Sequence, residues 1–166
     1  SYNGTSKFGT LPTVTSTNNA ANMFTAKVSS AGAWEWMVRG VGDSLSLGIT
    51  ALADGSSITA GFYTGVLDMG CEIYYGCVSL PKAEHDIFLA KASSRGSWEW
   101  AAGTSGGGVQ DAGVSISALA DGSAFVTGKF EGIASFGAAG SVTSDGALNT
   151  FVAKVSSNGA WEWVIS

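Results

Sequence analysis

Three copies of one pentapeptide hold all six tryptophans of the chain: GAWEW at 32–36, GSWEW at 96–100 and GAWEW at 159–163. Tryptophan faces stack on the apolar C–H surface of sugar rings, and a carboxylate between them can take sugar hydroxyls. Trp34, Glu35 and Trp36, with Trp98, Glu99 and Trp100 and with Trp161, Glu162 and Trp163, are therefore three candidate glycan platforms. Sites repeated on one chain would gain avidity. The competing use of the same residues is packing, since each Trp can bury roughly 200 Å². Alternation along a strand puts both indoles of a triplet on one face and the Glu on the other. Packing is the preferred reading: repeat units reuse the same core residues of necessity, whereas a ligand site drifts between copies. A Glu on an outermost strand also discourages edge pairing.

The other chemistry-bearing residues are sparse. His85 is the sole histidine and stands between Glu84 and Asp86. It could join a metal site, but a solvated loop is the expectation. Lys27, Lys91 and Lys154 recur at one position of the repeated block, where they are expected to pair with Glu on a neighbouring strand or to lay their stems over apolar surface. Asp54 and Asp121 fall in Asp-Gly turns. The glycine-rich stretch GTSGGGVQDAG at 103–113 is not followed by Lys-Ser/Thr, so it is no phosphate-binding loop. Cys71 and Cys77 are the only cysteines. Their flanking glycines suit a small disulfide loop, and with it an extracellular or cell-surface setting; two free thiols are the alternative. Two thiols are too few for a structural zinc site. With one His and no marked carboxylate pair, no catalytic set assembles, so neither an enzyme nor a cofactor or metal site is expected.

Composition narrows the class. The 166 residues are 45% hydrophobic and 13% charged, with 24 Gly and two Pro. Low charge with ample apolar residues argues against disorder. Eight Lys and Arg scattered through a chain of net charge −5 give no basic patch for nucleic acid. No apolar run reaches the ~18 residues of a membrane span. No basic n-region precedes an apolar stretch, so no signal peptide is read.

The pentapeptides belong to a longer repeat. MFTAKVSSAGAWEW (23–36), IFLAKASSRGSWEW (87–100) and TFVAKVSSNGAWEW (150–163) align without gaps, at spacings of 64 and 63 residues. ALADGSSITAGFYTG (51–65) and ALADGSAFVTGKFEG (118–132) form a second block. A third pattern, aromatic-x-Gly followed by an apolar-Gly pair, occurs around Tyr2, Tyr63 and Phe130, and a Val-Thr-Ser-like strand follows at Val14, Val78 and Val142. Between these, CEIYYGC at 71–77 is an insertion in the middle unit, and it carries both cysteines. Each full unit reads as four strands: an alternating run, an Asp-Gly turn, a return strand, the FxAK strand, a Ser-Ser-x-Gly turn and the WEW strand. The fold class is all-β, with tandem four-stranded antiparallel repeats of β-propeller-blade type. One repeat domain spans 1–166, divided into a partial repeat (1–40) and two full ones (41–103 and 104–166).

The order GIxALADGS…VTGxFxG…FVAKVSSxGxWxW resembles the bacterial β-propeller repeat family known as SBBP, in the stretches Gly48–Gly55, Ala124–Gly128, Asp86–Lys91 and Thr150–Trp163. The double Trp and the long link between second and third strands depart from that pattern. The resemblance implies blades of a larger surface or secreted assembly and says nothing of chemistry. Closed propellers need at least four blades, and two and a half repeats leave faces open. The expected role is a non-catalytic extracellular module of structural or recognition function. Its expected partners are other copies of itself or flanking blades of a longer chain; the alternative is a lectin binding glycans through the Trp-Glu-Trp clusters.

Overall fold

The computed structural model describes residues 1–16, 20–70, 78–106 and 108–166. Cys71 and Cys77, and the disulfide expected of them, lie outside the described residues. The protein is an all-β chain of antiparallel sheets, with one short 3-10 turn, Gly137–Ala139, among the described residues.

In chain order the strands are β1 (Thr5–Ser6), β2 (Val14–Thr15), β3 (Phe24–Val28), β4 (Trp34–Ala51), β5 (Ser57–Met69), β6 (Val78–Ala92) and β7 (Trp98–Gly103). There follow β8 (Ser105–Gly106), β9 (Ala112–Ala118), β10 (Ala124–Phe130), β11 (Ile133–Ser135), β12 (Ser141–Thr143), β13 (Asn149–Val155) and β14 (Trp161–Ile165). The third repeat is a plain meander, with β9, β10, β13 and β14 side by side. The second repeat has the same meander in the latter half of β4, then β5, β6 and β7; it is extended to five strands by β3, because β4 continues unbroken from the WEW strand of the first repeat. Asp54 and Asp121 cap their turns as expected, each accepting the backbone N–H of the serine two residues on, at 2.8 and 2.9 Å.

The long link has a structure of its own. In the third repeat β8, β11 and β12 form a separate three-stranded sheet. In the second repeat the corresponding segments are the far ends of β4, β5 and β6, paired at Gly40↔Met69 and Met69↔Val78. In the first, β1 and β2 are the corresponding pair. The extra length over the roughly 40–50 residues of common blades is thus used for a small subsidiary sheet.

The main sheets stack face to face. Alternation sends Ile58, Ala60, Ile87 and Leu89 toward the third repeat, where they bury against Ala124, Val126, Phe151, Ala153 and Val155. The opposite face of the second sheet sends Tyr63, Phe88 and Ala90 toward the first repeat, against Met23. Both faces of the middle sheet are therefore core. Its central strands read as nearly continuous apolar runs, such as Ile87–Ala90, rather than as an apolar/polar alternation.

Candidate functional site

The WEW strand does not follow simple alternation. Val28 pairs with Trp34 and Lys27 with Trp36, so two residues of β4 occupy the space of one, a β-bulge. The same slip occurs at Ala92↔Trp98 and Lys91↔Trp100, and at Val155↔Trp161 and Lys154↔Trp163. Consecutive residues of the partner strand face opposite ways, so the two indoles of each triplet do too. This corrects the expectation that both share one face: the extra residue at the bulge inverts the second Trp.

The bulged Glu lies over the preceding strand's lysine. Lys27–Glu35, Lys91–Glu99 and Lys154–Glu162 are each 2.9 Å apart. The expected cross-strand pairing of these lysines is thus present in all three repeats. The hydrogen bond that Lys154 Nζ donates to the Glu162 carboxylate raises the lysine pKa.

The first indole of each triplet looks backward along the array. Trp98 Nε1 donates to the Arg39 carbonyl at 3.0 Å, and Trp161 Nε1 to the Gly103 carbonyl at 3.2 Å; each acceptor belongs to the preceding repeat. In the first and third repeats this indole closes an aromatic group. Phe136 meets Trp161 edge-on at 4.9 Å and Phe151 at 5.1 Å, and Phe8 likewise meets Trp34 at 5.2 Å and Phe24 at 4.9 Å.

The second indole looks forward. Trp36 Nε1 donates to the Ser94 carbonyl at 3.0 Å, and Trp100 Nε1 to the Ser157 carbonyl at 3.0 Å. Both acceptors lie in the Ser-Ser-x-Gly turn of the following repeat. The ring lies flat on that turn's glycine: a Cβ built at Gly96 would fall 2.7 Å from Trp36, and one at Gly159 2.7 Å from Trp100. These glycines have φ of +78° and +86°, where an L side chain is strained in any case. Glycine here therefore does two jobs, making the turn and leaving room for the next indole.

Only the end positions differ. Trp34 and Trp163 are the most exposed of the six, at 38% and 37%. Trp163 rests on its own repeat's Phe125 at 5.7 Å.

His85 is not in a solvated loop. It stands in β6, half-buried, stacked on Phe62 at 4.2 Å, with Nδ1 3.0 Å from the Asp111 carbonyl. That carbonyl can only accept, so Nδ1 carries the proton. Asp111 is fully buried; its Oδ1 accepts the Glu131 N–H at 2.9 Å, and burial raises its pKa. Asp86, also buried, is pushed up to about 6 by burial and by the nearby Asp111 and Glu84. The alternating charges of AEHD gave no sign that one of them would be inward. Among the described residues, no group of three or more His, Cys, Asp or Glu is placed to hold a metal ion, and no helix is long and apolar enough to cross a membrane.

No protein-family model and no curated protein matches this chain.

Proposed function

We propose that the chain is a non-catalytic β-repeat module of propeller type, similar to the SBBP repeats. Its role is structural or recognition, at the cell surface or outside the cell, and it works beside other copies of itself or flanking blades of a longer polypeptide. The observation that carries this reading is how the indoles are used. Trp36, Trp98, Trp100 and Trp161 each donate their N–H to a backbone carbonyl of an adjacent repeat. A sugar platform needs an open ring face beside a free carboxylate. Here the rings of Trp36 and Trp100 cover glycine turns, and all three glutamates are engaged by lysine. Trp34 and Trp163, the two more open rings, occupy faces of opposite kind and do not make equivalent lectin sites. The extracellular setting follows from reading Cys71 and Cys77 as a disulfide, which quantitative alkylation of the unreduced protein would overturn.

Titration of Trp fluorescence with mono- and oligosaccharides tests the module against the lectin. The expected result is no change with any sugar. Saturable quenching at millimolar concentration or below, abolished by a Trp→Ala change that leaves the melting temperature in place, would overturn it.

A further inference from the structure

We infer that the two outer faces of the array bind one another between copies: Trp163 of one copy docks on the Ser29–Ala33 turn of a second. This rests on the reading of the protein as a packing module and names its partner. The joint already occurs twice inside the molecule, at Trp36 on the Ser93–Ser97 turn and at Trp100 on the Ser156–Ala160 turn. Both halves of a third joint are present and unfilled among the described residues.

The donor half is complete. Trp163 follows the same bulge and the same Lys–Glu pair as Trp36 and Trp100. The acceptor half is complete too. In all three turns the first Ser N–H donates to the carbonyl four residues on, at 2.8, 2.8 and 2.9 Å, and the Gly N–H returns to the Ser carbonyl. Gly32 has φ +78°, the value at Gly96, yet nothing lies within 4 Å of where its Cβ would be. The Ser30 carbonyl stands where Ser94 and Ser157 accept an indole N–H.

The surfaces around these contacts match as well. Around Trp163 the outer face of the third repeat presents Phe125, Val152 and Ile165, in register across β10, β13 and β14. The matching face of the second repeat presents Ile58, Leu89 and Ala102, all buried by the third repeat or beside it. At the other end, Phe24, Ala26 and Val28 of β3 correspond to Phe88, Ala90 and Ala92, which are fully buried against the first repeat. Val28 is 46% exposed. An apolar face of this kind calls for cover, and each end offers the chemistry that the other end's counterpart already meets within the chain. The contact is heterologous, so it propagates as a ring or a filament.

Sedimentation velocity on the intact chain, from low micromolar to sub-millimolar concentration, tests this. The expected mass rises with concentration in multiples of 16.8 kDa. Trp163→Ala removes the donor; Gly32→Asn places a side chain under the incoming indole, and asparagine tolerates the left-handed conformation. Each variant should melt close to the parent and associate at least about tenfold more weakly. Mixed in equal amounts, they should form a heterodimer and stop at two, because the Trp163→Ala chain keeps its turn and the Gly32→Asn chain keeps its indole. A monodisperse 16.8 kDa species at every concentration, association unchanged in both variants, or a mixture no larger than its components would overturn the docking. None of these results touches the sugar titration, so the docking and the module reading fail separately.

Discussion

Trp100 and Trp163 occupy the same bulge, beside the same Lys–Glu pair, one repeat apart, and their surroundings differ. Trp100 lies on Gly159 with its N–H on the Ser157 carbonyl, whereas Trp163 lies against Phe125 and is 37% exposed. Local structure is the same at both; only the neighbour differs. The WEW motif is therefore a two-sided joint. Its first indole reaches back, its second reaches forward, and a bulge of one residue sets them on opposite faces.

The largest effect should separate interior indoles from outer ones. Trp98→Ala or Trp100→Ala removes a ring packed between repeats and should cost about 3 kcal/mol, lowering the melting temperature by roughly 6–12 °C for a chain of this size. Trp163→Ala in dilute solution should cost under about 1 kcal/mol, as for a surface change. Equal losses at Trp100 and Trp163, read by thermal melts, would break the comparison.

The glycines sharpen the same contrast from the other side of the joint. Gly96→Ala and Gly32→Ala suffer the same left-handed backbone penalty, about 1–2 kcal/mol. Gly96→Ala also drives a methyl group into Trp36, while Gly32→Ala meets open space. Denaturant midpoints should place Gly96→Ala lower by an extra 1–2 kcal/mol, roughly the cost of overpacking. Identical midpoints would mean that the turn glycines serve the backbone alone.

A third contrast lies within the repeats. Asp86 pairs with Tyr63, where the first repeat pairs Asn22 with Tyr2 and the third pairs Asn149 with Phe130. Its pKa is raised from 3.8 to about 6, so the folded state favours the protonated acid. The stability this gives is fully present below the unfolded pKa and is lost as pH rises through about 6. Asp86→Asn, which makes the middle repeat resemble its neighbours, should raise the melting temperature at pH 7 by an amount worth roughly 1–2 kcal/mol. It should also flatten the pH dependence between about 4 and 6. A variant less stable than the parent at pH 7 would show that the carboxylate is needed as an anion.

The smallest effect belongs to the ladder of ion pairs. Glu35→Gln should cost no more than about 1 kcal/mol, because both members of the Lys27–Glu35 pair are exposed, and less in high salt. A loss larger than that of Trp100→Ala would mean that the glutamates, and not the indoles, hold the joint.

Much of this was legible in the sequence. The ungapped block FxAKxSSxGxWEW and the Asp-Gly turns predict the four strands of each repeat and the role of Asp54 and Asp121. The lysine partners were also readable, because Lys and Glu recur at a fixed spacing around a turn. The direction of the second indole was not. Trp-Glu-Trp alternates as an ordinary strand does, and a bulge is set by pairing with the partner strand rather than by the three residues alone. The burial of His85, Asp86 and Asp111 was hidden for a related reason: AEHD is polar in one dimension, and only the stacking of repeats turns Asp86 inward. Of the segments between the second and third strands, the Val-Thr-Ser-like strand at Val14, Val78 and Val142 was legible, whereas its partners β1 and β11 were not, because strands of two or three residues leave no periodicity to read.

The unbroken run of β4 from Trp34 to Ala51 has a mechanical consequence. One strand is shared between the first and second repeats, so force applied along that part of the chain passes straight through a hydrogen-bonded beam. The second and third repeats are instead linked in sequence beyond the short β8 and held by the core packed between their sheets. Load along the chain is thus carried by one shared backbone strand between the first two repeats and by side-chain packing between the sheets of the second and third.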